Sequence, residues 1–231
     1  MRLLSLVMSL ACMPTAAHAS AVVIWPIDPV IKADEKATAL WLENKGAAPV
    51  TLQVRSFAWS QPNGEDRLDA QDVVVASPPI AEVAPGARQL IRIIRRAPGA
   101  TAESAYRLLI DELPPPPAGS ATTAPHARLS VQMRYSIPLF VHTGVATGVQ
   151  LTARFDTGPG GRVLMIRNTG GTRARLTDLR LVSREREVIL KAGLAGYVLP
   201  GATLSLPLPE NGIGAVKVGV NGADQVLGPA A

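Results

Sequence analysis

The sequence predicts an all-β fold built as two β-sandwiches, and three observations carry that expectation. Twenty prolines and twenty glycines against 4% aromatic residues favour short elements joined by turns over long helices. Runs that alternate apolar and polar residues recur along the chain at the period of a strand with two unlike faces. A turn grammar then occurs twice in the same order. Leu40 to Gly46 (LWLENKG) is echoed by Leu164 to Gly170 (LMIRNTG), and Val83 to Ala87 (VAPGA) by Val198 to Ala202 (VLPGA). The echoes lie about a domain length apart, and 231 residues suffice for two domains with separate cores. Turn signals at this density suit an immunoglobulin-like design for both.

Residues 1–19 are expected to direct export and not to join the fold. Arg2 supplies a positive start, LLSLVMSLAC is an apolar run too short to span a bilayer, and Ala17-His18-Ala19 has the small-x-small form of a cleavage site. The one cysteine, Cys12, lies inside this segment. Ser9 stands three positions before it, where a lipoprotein signal needs an aliphatic residue, which argues against acylation. The mature chain is therefore expected to enter an oxidising compartment without disulfides and to rely on its cores. The first domain is expected over 20–143 and the second over 144–231, with the hinge at His142-Thr143-Gly144-Val145.

Within the first domain, AVVIWPIDPVI carries Pro26 and Pro29, which confine it to a sheet edge or to a strand that switches sheets. The two alternating runs around Asn44-Lys45-Gly46 read as a hairpin-like pair, with Gly46 supplying a positive φ. Gln61 to Asp72 is a polar loop and Val73 to Val75 a short edge piece. Ala84-Pro85-Gly86-Ala87 has the adjacent proline and glycine of a type II turn and feeds the strand RQLIRIIRR. After the strand SAYRLLIDEL comes PPPPAGSATTAPHA, whose prolines favour an extended segment and whose small polar residues favour mobility. Directly behind it, Leu129, Val131 and Met133 alternate with Ser130 and Gln132 until Arg134 ends the pattern. An apolar stripe beside a fixed cation suits the capture of an extended peptide, though a core strand with a solvated arginine has the same pattern.

Composition and motifs exclude other classes. The pI of about 9.8 comes from scattered arginines and the formal charge is only +5, which does not describe a nucleic-acid binder. Beyond the export segment the histidines are His126 and His142, with no cysteine beside them, so no metal-ligand spacing exists. GxSxG, HExxH and GxxxxGK[ST] are missing, so no catalytic residue, cofactor or metal is expected. Gly158-Pro159-Gly160-Gly161 reads as a hairpin turn before it reads as an anion cradle. Trp25, Trp41 and Trp59 all lie on strand-like segments, where core packing accounts for them.

The export segment, the NKG and PG turns, ESAYRLLIDELPPPP, the proline-bearing loop and LSVQMRYSIPLF, in that order, resemble the periplasmic chaperones of the chaperone–usher pilus pathway. The resemblance spans the mature chain and is strongest in the first domain. It implies two sandwiches in a boomerang arrangement and a periplasmic protein without stable membrane insertion. It also implies that the strand at Leu129, Val131 and Met133 is donated to a pilin or fimbrial subunit lacking its last strand, until an outer-membrane usher takes the subunit. No nucleotide is required. In such chaperones an arginine on the first strand and a lysine near the end of the donor strand often hold the subunit's terminal carboxylate. Here Asp28 stands at the first position, and the second falls on Arg134 or Ser136 depending on register. Arg134 is the better candidate, since a guanidinium grips a carboxylate bidentately. This departure points to a divergent branch, the archaic one associated with spore-coat-like pilins. Arg92 and Glu103 match a charged pair that the resemblance implies to be a structural salt bridge. The competing class is a secreted adhesive or carbohydrate-binding sandwich.

Overall fold

The computed structural model of the chain describes residues 21–97, 101–114, 131–158, 160–183, 186–209, 212 and 214–227. The expectations for residues 1–19, for the proline-rich segment 115–127 and for Leu129 fall outside those residues. The strands before residue 145 are β1 (Val22–Trp25), β2 (Val30–Ile31), β3 (Ala37–Asn44), β4 (Val50–Ser60) and β5 (Arg67–Ala70). They continue with β6 (Val74–Ser77), β7 (Ile80–Val83), β8 (Arg88–Arg95), β9 (Glu103–Leu113) and β10 (Arg134–His142). They form one sheet in the order β1-β3-β8-β6 and a second in the order β2-β10-β9-β4-β5, with β7 also on β4. The later strands are β11 (Leu151–Gly158), β12 (Gly161–Asn168), β13 (Ala174–Val182), β14 (Glu187–Val198), β15 (Thr203–Pro207), β16 (Ala215–Val220) and β17 (Ala223–Leu227). They form the sheets β11-β12-β15 and β14-β13-β16-β17. The fold is the two-domain all-β sandwich expected.

The first strand divides as its prolines predict. β1 pairs antiparallel with β3 in one sheet, and past Pro26 and Pro29 the chain crosses over so that β2 pairs parallel with β10 in the other. The hairpin expected around Asn44-Lys45-Gly46 does not form, because β3 and β4 belong to different sheets and the link between them is an arch. Nor is Gly46 among the described glycines with positive φ. The arch is instead tied by Asn44: its Oδ1 accepts the Gly46 N–H at 2.9 Å while its Nδ2 donates to the carbonyls of Ala48 and Val83 at 2.8 and 2.9 Å. The PG turn closes the knot, with Gly86 N–H donating to Asn44 O and Asn44 N–H donating to Ala87 O.

The second half repeats this knot group for group. Asn168 Nδ2 donates to Thr172 O and Val198 O, its Oδ1 accepts from Gly170 N–H, and Gly201 and Ala202 exchange backbone bonds with Asn168. Gly86 and Gly201 adopt φ of 72° and 76°, the values the PG turns require. Gly170 is needed for space and not for φ, since a Cβ there would sit 2.2 Å from Gly148 O. The sequence echo is thus a shared buried amide. Asn168→Ala removes a fully buried donor from two carbonyls and should lower stability by about 1 to 3 kcal/mol. Denaturant unfolding measures this; a loss within about 0.5 kcal/mol, typical of a surface change, would show the knot to be incidental.

Two cores result. Leu40, Leu42, Leu52, Ile91, Ile93, Leu108, Ile110, Leu139 and Val141 fill the first. The second, around Leu164, Ile166, Leu176, Leu179 and Val218, also takes in Trp59 and Phe140 from the first sandwich. β11 and β12 pair antiparallel with Gly158 opposite Gly161, the hairpin expected there.

Candidate functional site

β10 is the strand that makes this fold more than two closed sandwiches. On one side it pairs with β9 over its whole length, and on the other it meets β2 only at Phe140 and Val141. Odd-numbered residues turn their backbone groups to the β9 side, as Glu112 N–H to Met133 O and Thr143 N–H to Ala102 O show. Even-numbered residues therefore face the outer edge, where Phe140 N–H reaches Pro29 O. Pro138 falls on that outer side, so its missing N–H removes no bond to β9. From Arg134 to Pro138 no described strand covers the outer edge. Such an edge is a template for another chain's backbone.

The predicted site residues lie at the far end of this strand. The alternation at Val131 and Met133 does not give a strand in the free chain; β10 begins at Arg134, opposite Asp111, and Met133 keeps one backbone bond to Glu112 of β9. Val131 and Met133 are 65% and 43% exposed, which places two large apolar side chains in water beyond the sheet. Arg134 is engaged within the chain. Its Nε donates to Asp111 Oδ1, and Arg55 donates to Asp111 Oδ2 at 2.8 Å. Burial pushes the Asp111 carboxyl up, but the bonds from Arg134 and Arg55 outweigh it and hold the group below the ordinary value of 3.8. The ion pairs thus contribute fully above that value and are lost as pH falls through the lower folded one. Beside them, Glu112 accepts from Met133 N–H at 3.4 Å and from the Tyr135 hydroxyl at 3.1 Å.

The other end of β10 enters the joint between the sandwiches. Phe140, Trp59 and Tyr197 meet there with ring centroids 5.7 to 6.2 Å apart. The Arg107 guanidinium lies 3.7 Å from the Trp59 centroid, and that of Arg173 4.2 Å from Phe140. The Gln61 side-chain amide acts as a short strand, donating to Tyr197 O at 3.0 Å and accepting from Leu199 N–H at 2.9 Å.

The expected Arg92–Glu103 salt bridge does not form. Ile91 and Ile93 point into the first core, which turns Arg92 outward on the exposed face of the other sheet. Glu103, its side chain 1% exposed, pairs instead with Arg173 of the second sandwich. Arg173 reaches it through both backbone N–H and Nη1, at 2.6 and 2.7 Å, with His142 at 3.4 Å. Sequence reasoning missed this latch. A cavity of about 290 Å³ opens beside it, lined by Asp28, Phe140, Arg173, Arg175, Tyr197 and Asn221. Asp28 therefore lies with the second-domain arginines and not with Arg134, which is about 20 Å along β10 from Phe140 at about 3.3 Å per residue. Arg175 is half-buried there, and its guanidinium makes no ion pair among the described residues. Its signal in the sequence was the spacing Arg173-Ala174-Arg175, which puts both cations on one face of a strand.

Only Trp59 of the three tryptophans is a core residue. Inward-facing neighbours at Ile24, Leu40 and Leu42 turn Trp25 and Trp41 to the outer face of the first sheet, where they stack at 6.3 Å. The Arg88 guanidinium lies 5.5 Å over Trp25.

Two sandwiches latched at a joint leave one edge strand open with exposed apolar residues at its root, a template suited to another chain's backbone. Residues 22–143 match the family described as pili and flagellar-assembly chaperone, PapD N-terminal domain, and the chain belongs to that family. Among solved structures it is similar to the CsuC–CsuE chaperone–tip adhesion subunit pre-assembly complex from archaic chaperone–usher Csu pili of Acinetobacter baumannii. Identity is 28%, covering 90% of this chain and 97% of that one, with a TM-score of 0.72. The SafB chaperone complex with SafA pilin from Salmonella enterica shares the fold at 16% identity, covering 92% and 99%, with a TM-score of 0.64. The CupB2 chaperone of Pseudomonas aeruginosa does so at 20%, covering 89% and 100%, with a TM-score of 0.60. No match was found among curated proteins. The protein is thus a pilus-assembly chaperone.

Proposed function

We propose that this chaperone caps pilin or fimbrial subunits in the periplasm by donor-strand complementation and hands them to an outer-membrane usher. The domains acting in this reading span 20–143 and 144–231. The observation that carries it is the open outer edge of β10 together with Val131 and Met133, exposed just upstream of it. A subunit short of one strand presents an apolar groove with an unpaired edge, and both deficits match what this segment offers. Exchange for a better-fitting strand supplies the energy of release, so no nucleotide enters. Among the described residues no helix is long and apolar enough to cross a membrane, and no cluster of three or more His, Cys, Asp or Glu could hold a metal.

Arg134, engaged by Asp111, is a weaker candidate for holding the subunit's terminal carboxylate than Arg175, which lines the joint cavity without an ionic partner among the described residues. In this reading the cation absent from the first strand, where Asp28 stands, comes from the second sandwich. The adhesive or sugar-binding alternative loses support from the tryptophans: an aromatic platform needs an open ring face, and Arg88 and Trp41 flank Trp25.

Tagged protein recovered from periplasm should carry a small pilin at a one-to-one ratio, and Arg175→Ala should reduce the amount retained. Retention on a glycan resin with no subunit bound would overturn the proposal.

A further inference from the structure

The chain that leaves the first sandwich upstream of Arg134 is gripped where it leaves. Four contacts from Asp111 and Glu112, near the end of β9, converge there. Glu112 N–H donates to Met133 O at 3.0 Å, and its carboxylate accepts from Met133 N–H and from the Tyr135 hydroxyl. Asp111 binds the Arg134 guanidinium and is itself anchored by Arg55 of β4. Backbone and side chain are thus both fixed over three consecutive residues, while Val131 and Met133 remain in water.

We propose that Asp111 and Glu112 are positioning residues that set the direction in which Val131 and Met133 are offered to a subunit. The inference rests on the donor reading above. Ordering a segment at the moment of binding takes conformational entropy from the affinity, and a segment whose root already points along the strand axis loses less. The register supports this. Arg134 lies opposite Asp111 in the β9–β10 ladder, so the grip falls at the last rung of the sheet, where a strand would otherwise fray. Asp111 bridges outward to Arg55 and not to a residue of β10 alone, so the root is tied to a third strand. Burial and the adjoining Glu112 carboxylate raise the Tyr135 phenol, which keeps it a donor to that carboxylate.

The test uses the mature chain with the isosteric pair Asp111→Asn and Glu112→Gln, read by amide exchange in the free protein and by recovery of a pilin co-produced in the periplasm. Exchange at the Met133 and Tyr135 amides should quicken about tenfold, and recovered subunit should fall about tenfold, with the melting temperature moved by no more than a few degrees. Asp111→Glu, which restores a carboxylate at that position, should recover much of both. Unchanged exchange, or faster exchange with undiminished subunit, overturns the proposal. A wild-type protein that recovers no subunit speaks against the donor reading itself, and the exchange result still decides whether the two acids order the root. If the double variant fails to fold, Asp111→Asn alone gives the same readouts.

Discussion

A chaperone carrying Leu129→Ser, Val131→Ser and Met133→Ser folds normally and fails to protect its subunit. The two described side chains of this set are exposed in the free chain, so their loss removes no core contact and stability should change by no more than about 0.5 kcal/mol. In a complex each apolar side chain is worth about 1.5 to 3 kcal/mol if fully buried. Half the lower figure for Val131 and Met133 together is about 1.5 kcal/mol, already about tenfold in affinity. Serine preserves the backbone that pairs with the subunit's edge, so the experiment isolates the side chains from the ladder. The measurements are subunit accumulation in periplasmic extract and the melting curve of the variant. Wild-type accumulation would place the subunit-binding surface elsewhere, and a large fall in melting temperature would mean that these residues pack within the chaperone.

The architecture was legible where local chemistry alone decides it. Two Asn-x-Gly and two Pro-Gly words were legible because each is a local motif, the asparagine holding its own glycine two residues on, although the knot that joins each pair closes 30 or more residues apart. Pro26 and Pro29 announced the sheet switch for the same reason, since a residue without an N–H limits its own strand. What failed depended on which sheet a strand joins. Alternation specifies β3 and β4 as strands but not their partners, so the hairpin that the pattern predicts is in fact an arch between two sheets. It left open which face of β1 and β3 is inward, so Trp25 and Trp41 were assigned to a core that Ile24, Leu40 and Leu42 fill. Arg92 and Glu103 were matched by resemblance, yet they stand on opposite sheets, and the true partner, Arg173, lies 70 positions along the chain. Nothing local to Glu103 points that far.

Replacing Arg173 with alanine should destabilise the protein by about 3 kcal/mol, the low end of the about 3 to 5 that follows when one partner of a buried ion pair is removed. The low end applies because the Arg173 backbone N–H remains within 2.6 Å of Glu103, and because His142, when protonated, is a second cation at 3.4 Å. The variant also strips the guanidinium from the face of Phe140, which weakens the aromatic contact between the sandwiches. If the loss comes from stranding the carboxylate, then Arg173→Met combined with Glu103→Gln, which removes both charges and keeps an Oε1 acceptor for the residue-173 N–H, should recover most of it. Stability and geometry would then part company. The double variant should melt close to wild type yet show a broader distribution of interdomain distances in solution scattering, because Gln61 and the Trp59–Tyr197 contact would hold the second sandwich without the directional Glu103 ion pair. Subunit capture should follow the scattering and not the melting curve, since an anchor at Arg175 is useful only at a fixed distance from the open edge of β10. A single variant that loses less than about 1 kcal/mol would show that the pair is solvated in solution, and full capture by a protein with a loosened joint would separate client binding from the second sandwich altogether.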